Sequence, residues 1–214
     1  MMDFGLAFSF PFQDEEWVKK IVVTAVIMLI PILGQIAVMG WMVALTRRVI
    51  AGEERPLPDW DDFGGLFMDG LKAFVVGLVY SLPIIITVVP FSILGAIFDN
   101  GDQLSVFEVF SICFGCFAAI YGFLYAFVWP AVLGELAATG EIGAALNVGK
   151  IVRRVQGALS PYLIVFVGTM VGSFVAGLGV ILCFVGVIFT GVLAYTVQGH
   201  LAGQAYKLSE AATA

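Results

Sequence analysis

The sequence predicts an all-α fold: a polytopic integral membrane helical bundle of about five transmembrane helices, with one or two interfacial amphipathic helices, in a single membrane domain over 1–214. Three observations carry this expectation. Of 214 residues, 61% are hydrophobic and only 12% charged, against roughly 25% charged for ordinary soluble domains. The apolar runs are long and continuous, unlike the short alternating segments of a closed membrane barrel. The charges gather in two segments between those runs, 46–72 and 137–160. A soluble core this apolar would lack the polar surface to cover it, so the lipid bilayer is the first partner the composition implies.

Along the chain, "FSFPFQDEEW" places aromatic rings at headgroup level and acids suited to a helix start. The first apolar run, 21–45, exceeds the roughly 20 residues a span needs, and Pro31 and Gly34 kink it. The second, 71–98, is broken by Pro83 and Pro90, and the third, 106–136, carries Pro130 near its end. Residues 161–198 hold no charge. That length suits two spans, 161–177 and 180–200, turning at Ala176–Gly179.

Orientation follows from Lys and Arg. The two polar segments and the C-terminal tail hold eight of the ten basic residues, while Lys19 and Lys20 precede the first run and the 99–105 loop has none. The positive-inside rule then expects a cell (inner or plasma) membrane protein with the N-terminus outside and the C-terminus in the cytoplasm. If the first run is instead a re-entrant hairpin around Pro31, all ten basic residues fall on one side.

In "RPLPDWDDF", Pro56 and Pro58 keep the backbone extended. Asp59 is expected to cap a short interfacial helix, with Asp62 as the reciprocal acid three positions on. Trp60, Phe63, Phe67 and Leu71 share its apolar face, Trp60 acting as anchor. Its acidic side, with Asp61, Asp62 and Asp69, would be repelled by anionic lipid and is expected to meet the basic 150–154 stretch. The second polar segment reads as a helix with Ile142, Leu146, Gly149 and Val152 on one side and Lys150, Arg153 and Arg154 turned away. Ser160-Pro161 caps the next span. Both segments open with Gly-Glu, at 52–53 and 140–141.

The run "GEERPLPDWDDFGGLFMDGLK", preceded by "FPFQDEEWVKKI" and followed by "GLVYSLP", resembles a bacterial and archaeal family of uncharacterised multi-pass membrane proteins. That family is marked by a Gly-Glu-x-x-x-Leu-Pro-Asp/Glu-Trp segment and a Gly-Leu-Lys start to the next helix. The resemblance implies a membrane location and a helical fold. It brings no catalytic residue, since the family is a domain of unknown function.

The chemistry-bearing residues are sparse. Cys113 and Cys116 form a C-x-x-C inside an apolar span, where desolvation disfavours the thiolate, and Cys183 alone cannot complete a four-ligand site. They read as packing residues. His200, the single histidine, reads as a polar cap near the end of the last span. Glu135 ends the third span; an acid there is a functional hypothesis by default, and its expected role is structural pairing with Arg153 or Arg154. Gly168 and Gly172, continued by Ala176, form a small-residue stripe for close packing within the chain or against another. No P-loop, H-E-x-x-H or Ser-His-Asp arrangement is present. Gln35, Ser81, Thr87, Thr169 and Ser173 are the polar groups at depth.

These readings predict no catalytic, metal or cofactor site, and a net charge of −6 without a basic patch argues against nucleic acid. The expected function is a membrane-embedded structural or assembly protein, an accessory subunit of a membrane complex, with other membrane subunits or a second copy as partner. The alternative is a permease- or channel-like carrier of a small neutral or apolar solute, its route lined by the spans broken at Pro31, Pro83, Pro90 and Pro130.

Overall fold

The computed structural model describes residues 2–98 and 106–213; the base-free 99–105 loop lies outside the described residues. The all-α expectation holds: the described residues are helices and connecting turns, with no strand. A short α1 (Phe4–Ser9) and a 3-10 turn (Phe10–Gln13) lead into α2 (Trp17–Met28) and α3 (Leu33–Ala51). Then come α4 (Phe63–Phe98), α5 (Val106–Thr139), α6 (Ile142–Ala145), α7 (Val148–Gly157), α8 (Leu159–Leu178), a 3-10 turn (Gly179–Leu182) and α9 (Cys183–Thr213). Of these, α3, α4, α5 and α8 are long and apolar enough to cross a membrane, and α9 has 31 residues.

The first apolar run is not one helix. Pro31 interrupts it, Ile32 takes φ +63°, and α2 and α3 fold back on each other as a hairpin. Gln35 Nε2 donates to the Met28 carbonyl at 2.9 Å, satisfying an acceptor that the end of α2 would otherwise leave bare in an apolar setting. At the open end, Lys20 Nζ donates to the Leu57 carbonyl at 3.1 Å. The residues before α2 therefore lie beside the segment after α3. A hairpin around Pro31 stands where one continuous helix over 21–45 was expected.

Of the two expected amphipathic helices, the second segment holds one, α7, and the first segment holds none. No separate helix covers 59–71; α4 starts at Phe63 and runs unbroken through Lys72 to Phe98, about 54 Å at 1.5 Å per residue. Pro83 and Pro90 sit inside it without ending it. In 137–160, α5 runs on to Thr139, α6 is one turn, and Asn147 re-starts the helix by accepting from the Lys150 N–H at 3.0 Å. That restart sets a different face from the one expected: Ile151, Arg154 and Val155 are buried, while Gly149 is exposed and Val152 is 38% exposed. Ser160 is not the cap of α8, which starts at Leu159 with no side-chain cap.

The core centres on α3, whose Trp41 and Leu45 are fully buried. It packs tightly on α4 because Gly40 and Gly70 face each other. A Cβ on Gly40 would overlap the Leu66 carbonyl, and one on Gly70 the Ile36 carbonyl. The Gly168–Gly172 stripe does the same for α8 and α9. A Cβ on Gly168 would overlap Leu201, and one on Gly172 would lie 3.6 Å from Ala194 Cβ. The stripe packs within the chain.

Candidate functional site at the polar end

The helix ends bearing Lys and Arg converge at one end of the bundle, where polar contacts join segments far apart in sequence. Two centres stand out.

The first is a strap over the α2–α3 hairpin. Pro56, Leu57 and Pro58 are buried, and the prolines deny this segment helical hydrogen bonds, so its carbonyls take long side-chain donors. The Leu57 carbonyl accepts from Lys20 Nζ at 3.1 Å and from Arg48 Nη1 at 3.0 Å. The Pro58 carbonyl accepts from Trp41 Nε1 at 3.0 Å. Trp60 Nε1 donates to Thr24 Oγ1 at 3.0 Å, so Trp60 anchors the strap on α2 rather than in the headgroups alone. Asp59 does not cap a helix: it pairs with Lys20 at 3.1 Å and lies 4.0 Å from Arg48. The cap is Asp62, which accepts from the Gly65 N–H at 2.9 Å.

Asp14 completes the centre, 2.9 Å from Lys20. Burial opposes ionisation of Asp14, but its bonds with Lys20 and the Glu16 N–H, with Arg55 nearby, outweigh it and hold the carboxyl below its usual range. Burial likewise disfavours the Lys20 ammonium, and Asp14 and Asp59 outweigh it, raising its pKa. On the acidic side of α4, Asp69 finds its cations on α3 and its own helix, not at 150–154: it is 2.8 Å from Arg47 and 4.0 Å from Lys72.

The second centre is Glu135, fully buried on α5. Lys150 Nζ bonds to its Oε1, and Arg154 Nη2 lies 3.1 Å from its Oε2, an ion pair off the hydrogen-bond axis. Arg154 is itself nearly buried and ties α7 to α9, donating to Ser209 Oγ at 3.0 Å and stacking its guanidinium 4.1 Å from the Tyr206 ring centroid. Burial raises the Tyr206 phenol to about 12, with Arg154 opposing and Glu135 and Glu210 adding. Of the two expected partners Arg154 pairs with Glu135. Arg153 stays exposed and donates to the Gly149 carbonyl of its own helix. Lys150 was missed, although its four-residue spacing from Arg154 puts both on one helix face.

His200 is buried rather than a surface cap. Phe10 stacks on it at 4.3 Å between centroids, and its Nδ1 lies 3.0 Å from Gln204 Nε2. Gln204 also clamps the N-terminus, accepting from the Asp3 N–H at 2.7 Å and donating to the Asp3 carbonyl at 3.0 Å. The two Gly-Glu pairs turn out to follow helix ends: Gly52 (φ +82°) and Gly140 (φ +70°) take the left-handed conformation that glycine tolerates after α3 and α5. Cys113 and Cys116 are exposed on α5 rather than packed, and the side chain of Cys183 lies outside what is described. Among the described residues no three His, Cys, Asp or Glu side chains gather as metal ligands.

These centres neutralise charge and fasten segments. Asp14, Asp59, Asp69 and Glu135 each already hold a cation. A family model described as Protein of unknown function (DUF4013) matches residues 23–198, which take in the strap and Glu135 with Lys150 and Arg154 but not Asp14, Lys20, His200 or Tyr206. No curated protein and no solved structure matches the chain. With most of its length covered by that match, the chain belongs to the DUF4013 family of proteins of unknown function.

Proposed function

We propose that this protein is a membrane-embedded structural or assembly protein, an accessory subunit whose polar end faces the cytoplasm of a cell membrane. The orientation rests on the positive-inside bias. Lys20, Arg47, Arg48, Arg55, Lys72, Lys150 and Arg154 all take partners in the strap, the N-terminal segment or the polar ends of α4, α5 and α9. The N-terminus then shares the cytoplasmic side with the C-terminus.

One observation carries the assembly reading: the α4–α5 pair stands largely uncovered by the rest of the chain. The most apolar stretch of each helix is almost wholly unburied, and α5 carries two glycines, Gly115 and Gly122, where a Cβ would meet nothing within 4 Å. Small residues let a neighbouring helix approach closely. The carrier reading needs its broken spans to line one route, yet Pro31 and Pro90 are exposed while Pro130 is buried. The hydroxyls of Ser81 and Thr87 at depth are spent on the Gly77 and Pro83 carbonyls of their own helix.

The exposed thiols of Cys113 and Cys116 offer the test. A membrane-permeant bis-maleimide applied to native membranes should give a higher-mass product containing this chain. Cys113→Ser with Cys116→Ser should abolish it, and Gly122→Leu should weaken it. A chain that stays monomeric at every spacer length would overturn the reading.

A further inference from the structure

Where α2 stops, the flank of α8 and α9 is left open. Turned back at Met28, α2 does not continue along them, and a groove of about 360 Å³ remains, lined by Met28, Thr169, Ser173, Gly177, Tyr195 and Gln198 among others. It runs beside the membrane-length stretch Leu159–Ile181, so it opens sideways within the bilayer. The space is real on both walls: a Cβ on Gly177 or Gly191 would meet nothing within 4 Å. Its volume lies within the roughly 300–1,000 Å³ of small-molecule sites.

The lining chemistry is specific. Among the described residues no charged side chain lines the groove, so a charged guest would be buried without a counter-ion. The Thr169 hydroxyl is spent on the Val165 carbonyl of its own helix. The side chains of Ser173, Tyr195 and Gln198 have no hydrogen-bond partner among the described residues. Polar groups facing hydrocarbon without a partner are costly, and a carboxamide offers two donors and an acceptor at once. Three unsatisfied neutral groups in one apolar groove form a complement to an apolar molecule with an uncharged hydrogen-bonding head.

We propose that this groove binds a neutral membrane amphiphile, of the class of long-chain alcohols and acylglycerols, its hydroxyl or carbonyl held by Gln198 and Ser173 and its chain lying along the glycine-lined walls. The site is independent of any assembly role, since it lies on α8 and α9 and the uncovered glycines of that reading lie on α5.

The full-length protein, reconstituted in phospholipid vesicles, would be irradiated with a diazirine-bearing hexadecanol and the labelled peptides mapped by mass spectrometry. Label should concentrate on the α8–α9 peptides and fall at least fivefold under excess unlabelled hexadecanol, but not under hexadecanoate at pH 8. Gly191→Leu, which fills the groove, and Gln198→Leu should each cut the label severalfold, whereas Gly122→Leu on α5 should not. Should Gly191→Leu fail to fold, Ser173→Ala takes its place, with a smaller loss expected. Label spread in proportion to lipid-exposed area, equal competition by hexadecanoate, or a groove that takes up only water and no label would each overturn the proposal.

Discussion

Replacing Glu135 by Gln separates a buried structural ion pair from a surface one. Glu135 has no exposed surface, and the side chain of Arg154 is only 10% exposed. Glu135→Gln leaves the Arg154 guanidinium buried with its nearest anion gone, and breaking a buried pair from one side costs about 3–5 kcal/mol. Arg154 keeps Ser209 and the Tyr206 ring, which favours the lower figure, about 3 kcal/mol. Lys150 touches the same carboxylate, but its side chain is 44% exposed. Water can solvate what is left, so Lys150→Met should cost about 1 kcal/mol or less. Arg153→Met should be silent. Unfolding in mixed micelles, followed by far-UV circular dichroism, would rank the variants, and the Glu135→Gln/Arg154→Met cycle should show a coupling of about 2 kcal/mol. Equal costs for Glu135→Gln and Lys150→Met, or no coupling in the cycle, would refute the assignment of Arg154 as the principal partner.

Three further outcomes follow from the same geometry. Asp62→Ala should destabilise the start of α4 by about 1 kcal/mol, whereas Asp59→Ala should loosen the strap without fraying α4; hydrogen exchange at 63–66 distinguishes them. The strap should depend on pH in both directions. Asp14 has a lowered pKa, so its contribution is complete above the normal carboxylate range and lost as pH falls through the folded value. Lys20 has a raised pKa, so its contribution is complete below the normal lysine range and lost as pH rises through the folded value. Fluorescence of Trp41 and Trp60 should therefore hold steady near neutrality and change in strong acid and strong alkali, and a midpoint near pH 6–7 would be inconsistent with this pairing. Gly40→Ala should cost about 1–3 kcal/mol through overpacking, while Gly115→Ala should be neutral or stabilising by about 1 kcal/mol; the same unfolding assay compares them.

Membrane class, helix content and the long apolar segments were legible because composition and run length alone demand them. The hairpin was legible only as an alternative. A 21–45 run is long enough for one crossing helix, and what divides it into two helices is the turn at Pro31 and Ile32, held by partners for Lys20 at the open end. Those partners, Asp14, Asp59 and the Leu57 carbonyl, are tertiary and leave no local pattern. Asp59 lost the capping role to Asp62 for a related reason: Trp60 is tied to Thr24, and the chain bends at Trp60 and turns over 61–62 before the helix starts at Phe63. The face of α7 was misjudged because Asn147 breaks the helix and resets its phase, turning Arg154 inward and leaving Arg153 in solvent. His200 could not be placed from sequence, since the ring that covers it, Phe10, lies 190 residues away. The Gly168–Gly172 stripe signalled close packing correctly, but spacing alone did not say whether the neighbour was α9 or another chain.

A hairpin of α2 and α3 predicts that the N-terminus and both polar segments share one membrane face. In a background with Cys113, Cys116 and Cys183 replaced by Ser, single cysteines at Glu15, Glu54, Gly140 and Glu210 would be probed with a membrane-impermeant maleimide in sealed inside-out and right-side-out vesicles. All four should label from the cytoplasmic face and none from the other. Labelling of the Glu15 position from the opposite face to Glu54 would make 21–45 a full span and contradict the account.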